Sequence, residues 1–166
     1  MAIKYDQNLV HYITATAIIV KDGKYLIAKR AGWEKAFPNR WTVPGGKLKV
    51  LDYILRKKDT GELWYNILED LVRREVDEEV GLEIENFGYI TSMIYIRDDG
   101  IPTIIISLYA DAKTDNVRLA PALTEYAWVS LEEAKNYDLI DGIYEELEMT
   151  DRILKGEKKT EWKKTL

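Results

Sequence analysis

Three glutamates on one predicted helix are the side chains of this chain best suited to chemistry. Glu75, Glu78 and Glu79 lie at positions i, i+3 and i+4, so a helix brings them to one face within about a turn. Like charges at this spacing repel by roughly a few tenths of a kcal/mol per pair, so stability alone does not favour them. Converging carboxylate oxygens suit a hard divalent cation such as Mg²⁺. Because Gly81 follows as a helix-closing residue, the pattern predicts a metal-binding helix that ends there.

The segment from Arg74 to Leu82 resembles part of the signature of the Nudix hydrolases. It reads Arg-Glu-Val-Asp-Glu-Glu-Val-Gly-Leu and matches each fixed position of Arg-Glu-(aliphatic)-x-Glu-Glu-x-Gly-(aliphatic). The alternative interpretation is a solvated acidic helix face with a glycine cap. The resemblance implies an α/β fold, the Nudix-type α/β/α sandwich around a mixed β-sheet. It also implies a Mg²⁺-dependent pyrophosphohydrolase, with Mn²⁺ as a substitute metal.

A glycine pair upstream of the helix adds a second element. The run from Trp41 to Val43 is strand-like and leads into Pro44-Gly45-Gly46, which predicts a chain reversal. Glycines let the backbone approach a ligand closely and expose carbonyl oxygens, which are hard ligands. In Nudix enzymes the first glycine of this pair offers its carbonyl to the metal. The resemblance therefore implies these metal ligands: Gly45, Glu75, Glu78 and Glu79.

The catalytic residues follow from the same resemblance. It implies that a glutamate of the helix, Glu78 or Glu79, acts as the general base. Arg74 lies four residues before Glu78, a spacing at which it would orient a carboxylate. Many family members carry a further glutamate on a downstream loop, which falls here on Glu125, just before the strand-like run 126–129. Glu125 is therefore a second candidate for the general base. Its other interpretation is an ordinary surface glutamate that leads into a strand.

The spacing between the glycine pair and the helix departs from the family pattern. The pattern places five residues between the second glycine and a glutamate, and seven more before the arginine. Counting back from Arg74 puts that glutamate position on Asn66, with 14 extra residues after Gly46. An alternative alignment uses Gly61 and Glu62 and leaves four extra residues before Arg74. In the first alignment Arg74 lacks one expected acidic partner.

The extra residues have the pattern of a hairpin. Apolar runs flank a polar Asp-Thr-Gly turn, so we predict an inserted hairpin at about residues 47–61. Asn66 is then the cap of a helix that begins near Ile67. We expect deletion of the insertion to alter substrate preference or dimerisation more than metal binding.

Length and composition predict one soluble domain over residues 1–166. The chain is 46% apolar and 32% charged, which is typical of a globular protein. No run approaches the roughly 20 apolar residues of a membrane span, and no secretory segment is apparent, so we expect a cytoplasmic protein without a membrane partner. The absence of cysteine excludes disulfides, thiolate metal sites and a thiol nucleophile. It also argues against the isopentenyl diphosphate isomerases of the same fold, which rely on a cysteine.

Charge is unevenly distributed along the chain. Six basic and three acidic side chains give residues 151–166 a charge of +3. Since the net charge of the chain is −5, the other 150 residues carry −8. An acidic body argues against an extended nucleic-acid partner and is compatible with a small nucleotide delivered with its own Mg²⁺. We predict a frayed basic tail at about residues 156–166, and Trp162 leaves open a tail that grasps phosphate. Homodimers are common in the family, so a homodimer also stays open.

Other residues are weaker candidates. His11 is the only histidine, which excludes histidine triads and multi-histidine metal sites. Three basic residues near the glycine pair are candidates to meet phosphates, although solvation explains them equally well: Lys29, Arg30 and Arg40. Four aromatic residues are candidates to stack on a nucleobase, of which we assign at most one to substrate: Trp33, Phe37, Trp41 and Tyr95.

The remaining pattern predicts strands interleaved with helices. A continuous apolar run at residues 12–20 is typical of a central strand buried on both faces. Further strands are predicted at 25–30, 41–43, 88–97, 103–110 and 126–129. Helices are predicted at 67–80, from a Ser130 capping box, and at 141–155.

The favoured function is cleavage of a P–O–P bond in a nucleoside diphosphate-linked substrate by water attack on phosphorus. Phe37-Pro38-Asn39-Arg40-Trp41 is similar to sequences in family members that clean up (deoxy)nucleoside triphosphates, so a triphosphate is favoured. Two alternatives remain: an ADP-ribose or nucleotide-sugar pyrophosphatase, and a catalytically silent Nudix-fold module that binds nucleotides.

Overall fold

A computed structural model describes residues 6–158 and 161–164. Within these residues the chain forms seven strands and three α-helices. The strands are β1 (Tyr12–Lys21), β2 (Lys24–Arg30), β3 (Trp41–Thr42), β4 (Gly45–Lys47), β5 (Ile84–Ile96), β6 (Pro102–Ala112) and β7 (Leu123–Val129). The helices are α1 (Ile67–Val80), α2 (Leu131–Ala134) and α3 (Ile143–Leu154). None of the helices in the described part of the chain has the length and apolarity needed to cross a bilayer.

All seven strands join one mixed sheet with β1 near its centre. The main path runs β3-β2-β1-β6-β5, while β4 pairs with β1 and β7 pairs with β2. Strands β1 and β6 are parallel, from Tyr12 beside Thr103 to Val20 beside Asp111, and the other pairs are antiparallel. The opposite edge of β1 is shared, because β2 pairs with its last two residues and β4 with residues 14–16. This split leaves β4 free to meet α1.

Helices cover both faces of the sheet. Alternate residues of β1 point to opposite faces, so Ala17 and Ile19 pack with α1, whereas Ile18 packs with α2 and α3. Helix α1 buries one apolar stripe of four residues, Leu71, Val72, Val76 and Val80. The predicted α/β/α sandwich around a mixed sheet is confirmed.

Most predicted elements lie within a few residues of the observed ones. The strand predicted at 12–20 is β1, and the helix predicted at 67–80 is α1 with those bounds. Gly81 closes α1 with a φ of 68°. Ser130 forms the predicted capping box, because its hydroxyl accepts from the Glu133 N–H at 3.2 Å and the Glu133 carboxylate accepts from the Ser130 N–H at 2.7 Å. Strand β5 begins four residues earlier than predicted, and β6 ends two residues later than predicted.

The predicted hairpin at 47–61 is wrong. Beyond Lys47, which ends β4, this inserted segment contains one 3-10 turn (Val50–Asp52) and otherwise irregular backbone. Arg56 explains the difference, because its guanidinium pairs with Asp70 of α1 and donates to the Tyr65 carbonyl at 2.8 Å. The Trp64 indole donates to the Arg56 carbonyl at 2.9 Å. Side-chain donors therefore bind backbone carbonyl groups that would pair with a neighbouring strand in a hairpin.

Asn66 precedes α1 as predicted, but its side chain does not cap the helix. Its φ is 56°, in the left-handed region, and its side chain makes no capping hydrogen bond. A capping side chain normally requires extended backbone at that residue. Asn66 contributes only its carbonyl, which accepts from the Asp70 N–H at 2.9 Å.

The basic tail lies partly outside the described residues. Residues 159, 160, 165 and 166 are outside the described residues. Residues 157–158 and 161–164 form neither helix nor strand. The Trp162 side chain is exposed. A tail that grasps phosphate stays a prediction.

A buried carboxyl on α3 makes the stability of the protein depend on pH. Glu146 is 5% exposed and accepts a hydrogen bond from the Ser107 hydroxyl of β6. Burial raises its pKa to about 7, and the hydrogen bond from Ser107 acts in the opposite direction by lowering it. The folded state therefore holds the proton more tightly than the unfolded chain, so the contribution of Glu146 to stability is fully present below about pH 4.5 and is lost as pH rises through about 7.

We expect Glu146→Gln to reduce this pH dependence. A neutral amide has no charge to bury, so the variant should match the wild type at pH 5 and exceed it at pH 8 by at most about 3 kcal/mol in the free energy of unfolding. Urea unfolding of chelator-treated protein at both pH values measures the difference. Glu148→Gln is the control, because Glu148 lies on the same helix and pairs with Arg152 at a solvated position. Equal pH slopes in wild type and Glu146→Gln would contradict the assignment.

Candidate active site

The glycine pair lies in strand β4 against β1 and is not the predicted chain reversal. Neither glycine has a positive φ, so the requirement is for space rather than for an unusual backbone conformation. A Cβ on Gly45 would lie 2.5 Å from the Ala15 carbonyl oxygen of β1. A Cβ on Gly46 would lie 2.2–2.4 Å from the carboxylate atoms of Glu75 on α1. Gly46 therefore leaves the space that the Glu75 carboxylate fills.

Glu79 contacts the same strand one residue earlier. Its Oε2 accepts from the Gly45 N–H at 3.1 Å. Burial raises the pKa of Glu79 to about 7; the Gly45 N–H and the charge of Arg30 lower it, while Glu75 and Glu78 raise it further. A carboxylate withdrawn from water beside two other carboxylates is a site at which a cation is stabilised.

Arg74 lies among three carboxylates. Its Nη1 is 2.8 Å from the buried Glu75 and 3.1 Å from Glu78, and its Nη2 is 3.2 Å from Asp52 of the inserted segment. The Glu78 side chain is 58% exposed. The orienting role predicted for Arg74 is consistent with these contacts, since it bridges Glu78 and Glu75.

The structure places the four predicted metal ligands in two groups. Glu75 and Glu79 contact the Gly45–Gly46 strand, whereas Glu78 turns toward Arg74. In the described part of the chain, no three acidic, histidine or cysteine side chains lie close enough together to form a metal-binding cluster. Two carboxylates beside a backbone strand still fit Mg²⁺, because this ion keeps several waters and takes few protein ligands.

Glu125 lies on β7 and faces β2. Its carboxylate accepts from the Lys29 Nζ at 2.7 Å, and its side chain is 55% exposed. The structure therefore pairs Glu125 with a lysine on the neighbouring strand, and its role as a base stays a prediction. The same contact accounts for Lys29.

The other two basic candidates differ in their surroundings. Arg30 lies close enough to Glu79 to lower the pKa of that carboxyl, and it also donates to Glu34 at 2.9 Å. Arg40 instead donates to the carbonyl groups of Asp138 and Leu139, so it holds the segment before α3. Arg30 is thus the basic candidate beside the carboxylates.

The aromatic candidates also separate. Trp41 packs against Tyr137 in the core beneath α3, with ring centroids 4.7 Å apart, so its role is structural. Phe37 and Tyr95 are partly exposed, and their ring centroids lie 6.3 Å apart. Trp33 is exposed, as is His11. Phe37 and Tyr95 form the surface pair on which a planar base could stack.

Asp52 is the site residue that the sequence interpretation missed. It lies 22 residues before Arg74, in a segment with no motif, so no local spacing connects the two residues. The only signal was indirect, because Arg74 lacked an acidic partner in the alignment.

Comparison with known proteins identifies the family. A model described as the NUDIX domain matches residues 11–148. The chain is 28% identical over 133 residues to the nucleoside triphosphatase NudI of Klebsiella pneumoniae (strain 342), covering 74% of this chain and 84% of that protein. It is 29% identical over 133 residues to NudI of Escherichia coli O139:H28, with the same shares covered.

Solved structures show the same fold at lower identity. A MutT NUDIX hydrolase from Burkholderia pseudomallei superposes with a TM-score of 0.66 at 23% identity, covering 84% of this chain and 98% of that one. The NUDIX domain of Shewanella oneidensis NrtR, solved with ADP ribose, gives a TM-score of 0.67 at 16% identity and covers 90% of this chain and 94% of that one. The family model spans well over half of the sequence, and the protein is therefore an enzyme of the Nudix hydrolase family.

Proposed function

We propose that the protein is a Mg²⁺-dependent pyrophosphohydrolase that cleaves a P–O–P bond by attack of water on phosphorus, with a (deoxy)nucleoside triphosphate as its favoured substrate. The observation that carries the proposal is the placement of Glu75 and Glu79 against the Gly45–Gly46 strand. Carboxylates brought to a backbone from which side chains are excluded suit a metal ion and a phosphate chain better than they suit packing.

The carboxylates of Glu75 and Glu79 and the Gly45 carbonyl would hold the ion, with Glu78 available to a second one. When bound, the ion supplies positive charge against phosphate oxygens and makes a coordinated water more acidic. Arg74 keeps Glu75 and Glu78 at fixed orientations, and Arg30 adds positive charge beside Glu79. Such positioning and charge stabilisation account for most of the catalysis in phosphoryl transfer.

A carboxylate that is free to take a proton from water is the remaining requirement. Glu78 suits this role better than Glu125, because Glu78 lies on α1 with the proposed metal ligands and is next to Glu79. Each side chain has a basic partner, Arg74 at 3.1 Å for Glu78 and Lys29 at 2.7 Å for Glu125, so position on the helix is what separates the two candidates. We therefore assign the general base to Glu78 and keep Glu125 as the second candidate.

The names of the relatives favour a nucleoside triphosphate. Curated relatives that share about 28–29% of their residues with the chain are named nucleoside triphosphatases. The partly exposed rings of Phe37 and Tyr95 suit any substrate with a nucleobase, so they do not separate a triphosphate from ADP-ribose. An ADP-ribose or nucleotide-sugar substrate is the second candidate, which the Shewanella neighbour supports because it was solved with ADP ribose.

A substrate panel tests the proposal. We expect Mg²⁺-dependent release of phosphate or pyrophosphate from at least one nucleoside triphosphate, at a kcat/KM at least about tenfold above that for ADP-ribose and nucleotide sugars. Activity should vanish with excess chelator and return with Mg²⁺ or Mn²⁺. In ¹⁸O-labelled water the label should appear on a phosphorus-containing product. Turnover that ignores the chelator would contradict the metal, and nucleotide binding without turnover would identify a silent binding module.

A further inference from the structure

Asp52 of the inserted segment gives Arg74 an acidic partner, which the family pattern would place at the position of Asn66. It is the only one of the three carboxylates around Arg74, among the described residues, that does not come from α1. The Asp52 and Arg74 side chains are 18% and 27% exposed. Partial burial makes such a pair stronger than a solvated surface pair.

Neither residue that alignment assigns to this position can replace Asp52. Asn66 carries a neutral amide, so it cannot supply the negative charge of the missing glutamate. Glu62 is 89% exposed and pairs with Lys58 at 3.2 Å. The acidic partner of Arg74 has therefore been supplied from within the extra residues.

The backbone around Asp52 holds its carboxylate in place. Asp52 Oδ2 accepts from the Lys49 N–H at 2.8 Å, which closes the 3-10 turn. Arg56 ties the same segment to α1 through Asp70, and it also reaches the Tyr65 carbonyl. A cavity of about 280 Å³ lies between the segment and α1, with Asp52, Arg56 and Arg74 in its wall. The Asp52–Arg74 contact therefore belongs to an anchored interface.

We propose that Asp52 is a positioning residue for the metal site: it binds Arg74 Nη2, so that only Nη1 contacts Glu75 and Glu78, and it offsets the positive charge of the guanidinium. Without Asp52, the guanidinium turns fully to Glu75 and Glu78 and competes with the cation for their oxygens. This inference rests on the proposed function. It reverses the sequence-based expectation that the inserted segment lies outside the metal site.

Metal affinity measured without turnover tests the proposal. We expect Asp52→Asn to raise the Kd for Mn²⁺, followed by electron paramagnetic resonance, about tenfold, and to lower kcat to a similar extent with KM within about twofold. Asp59→Asn is the matched control, since Asp59 lies in the same segment and contacts Arg56 rather than Arg74. Asp52→Glu keeps the charge and should bind Mn²⁺ within about twofold of wild type.

The route through Arg74 is tested by a double variant. In an Arg74→Gln background, we expect Asp52→Asn to change the Mn²⁺ affinity by less than about twofold, because the residue through which it acts is gone. Full and independent effects of the two substitutions would overturn the proposal, as would an Asp52→Asn variant that matches Asp59→Asn, or an Asp52→Glu loss equal to that of Asp52→Asn. Wild-type protein that neither binds Mn²⁺ nor hydrolyses any nucleotide would instead overturn the proposed function.

Discussion

Glu79→Gln is expected to lower kcat at least about 100-fold while the fold is kept. The amide retains the shape of the side chain and can still accept from the Gly45 N–H, which Glu79 contacts at 3.1 Å. It removes the negative charge that would hold the cation. Steady-state kinetics at saturating Mg²⁺ measure the loss, and circular dichroism checks the fold.

Asp77→Asn is the control for this substitution. Asp77 lies two residues earlier on α1 at an exposed position, so it removes the same charge from the same helix away from β4. We expect its kcat within about twofold of wild type. A Glu79→Gln enzyme with activity within a few-fold of wild type would remove Glu79 from the metal site.

Gly46→Ala is expected to lower kcat between about tenfold and 100-fold with little loss of stability. The new methyl group would enter the space of the Glu75 carboxylate, which lies 2.2–2.4 Å from the Cβ position. A carboxylate at the end of a flexible side chain can move away, so the cost falls on its orientation toward the metal. Kinetics, Mn²⁺ affinity and thermal unfolding together separate the two effects.

Two other glycines provide the comparison. A Cβ at Gly45 meets the Ala15 carbonyl oxygen at 2.5 Å, and backbone in the centre of a sheet cannot withdraw, so Gly45→Ala should lower the unfolding temperature. Gly61 has nothing within 4 Å of the Cβ position, so Gly61→Ala should match the wild type in kcat and in unfolding temperature. A Gly46→Ala variant with wild-type kcat would show that the position of Glu75 is not critical.

The elements that could be predicted from the sequence are those whose signals are local. The apolar run of β1, the Ser130 capping box and the closing Gly81 each encode their structure within a few neighbouring residues, and all three are observed. Helix α1 was predicted with its observed bounds because its apolar stripe and terminating glycine agree. The family signature fixed the same helix as the site of the carboxylates.

The elements that could not be predicted depend on long-range contacts. The segment at 47–61 has a hairpin-like pattern, but Arg56 binds Asp70 on α1 and so favours irregular backbone. Gly45 and Gly46 have the composition of a turn, yet their missing Cβ atoms serve close contacts with β1 and Glu75. Asp52 meets Arg74 only because the intervening residues fold back on α1. Composition and periodicity do not indicate such long-range contacts.

The parallel pairing of β1 with β6 has a consequence for how the molecule assembles. Tyr12 aligns with Thr103, so the central pair joins residues about 90 positions apart, and both β4 and α1 lie within the enclosed loop. Closing so long a loop is entropically costly, and non-local pairing of this kind slows folding. On a ribosome the carboxylate-bearing helix therefore emerges well before its supporting sheet can close, and maturation of the catalytic centre should be a late event in the life of the nascent polypeptide.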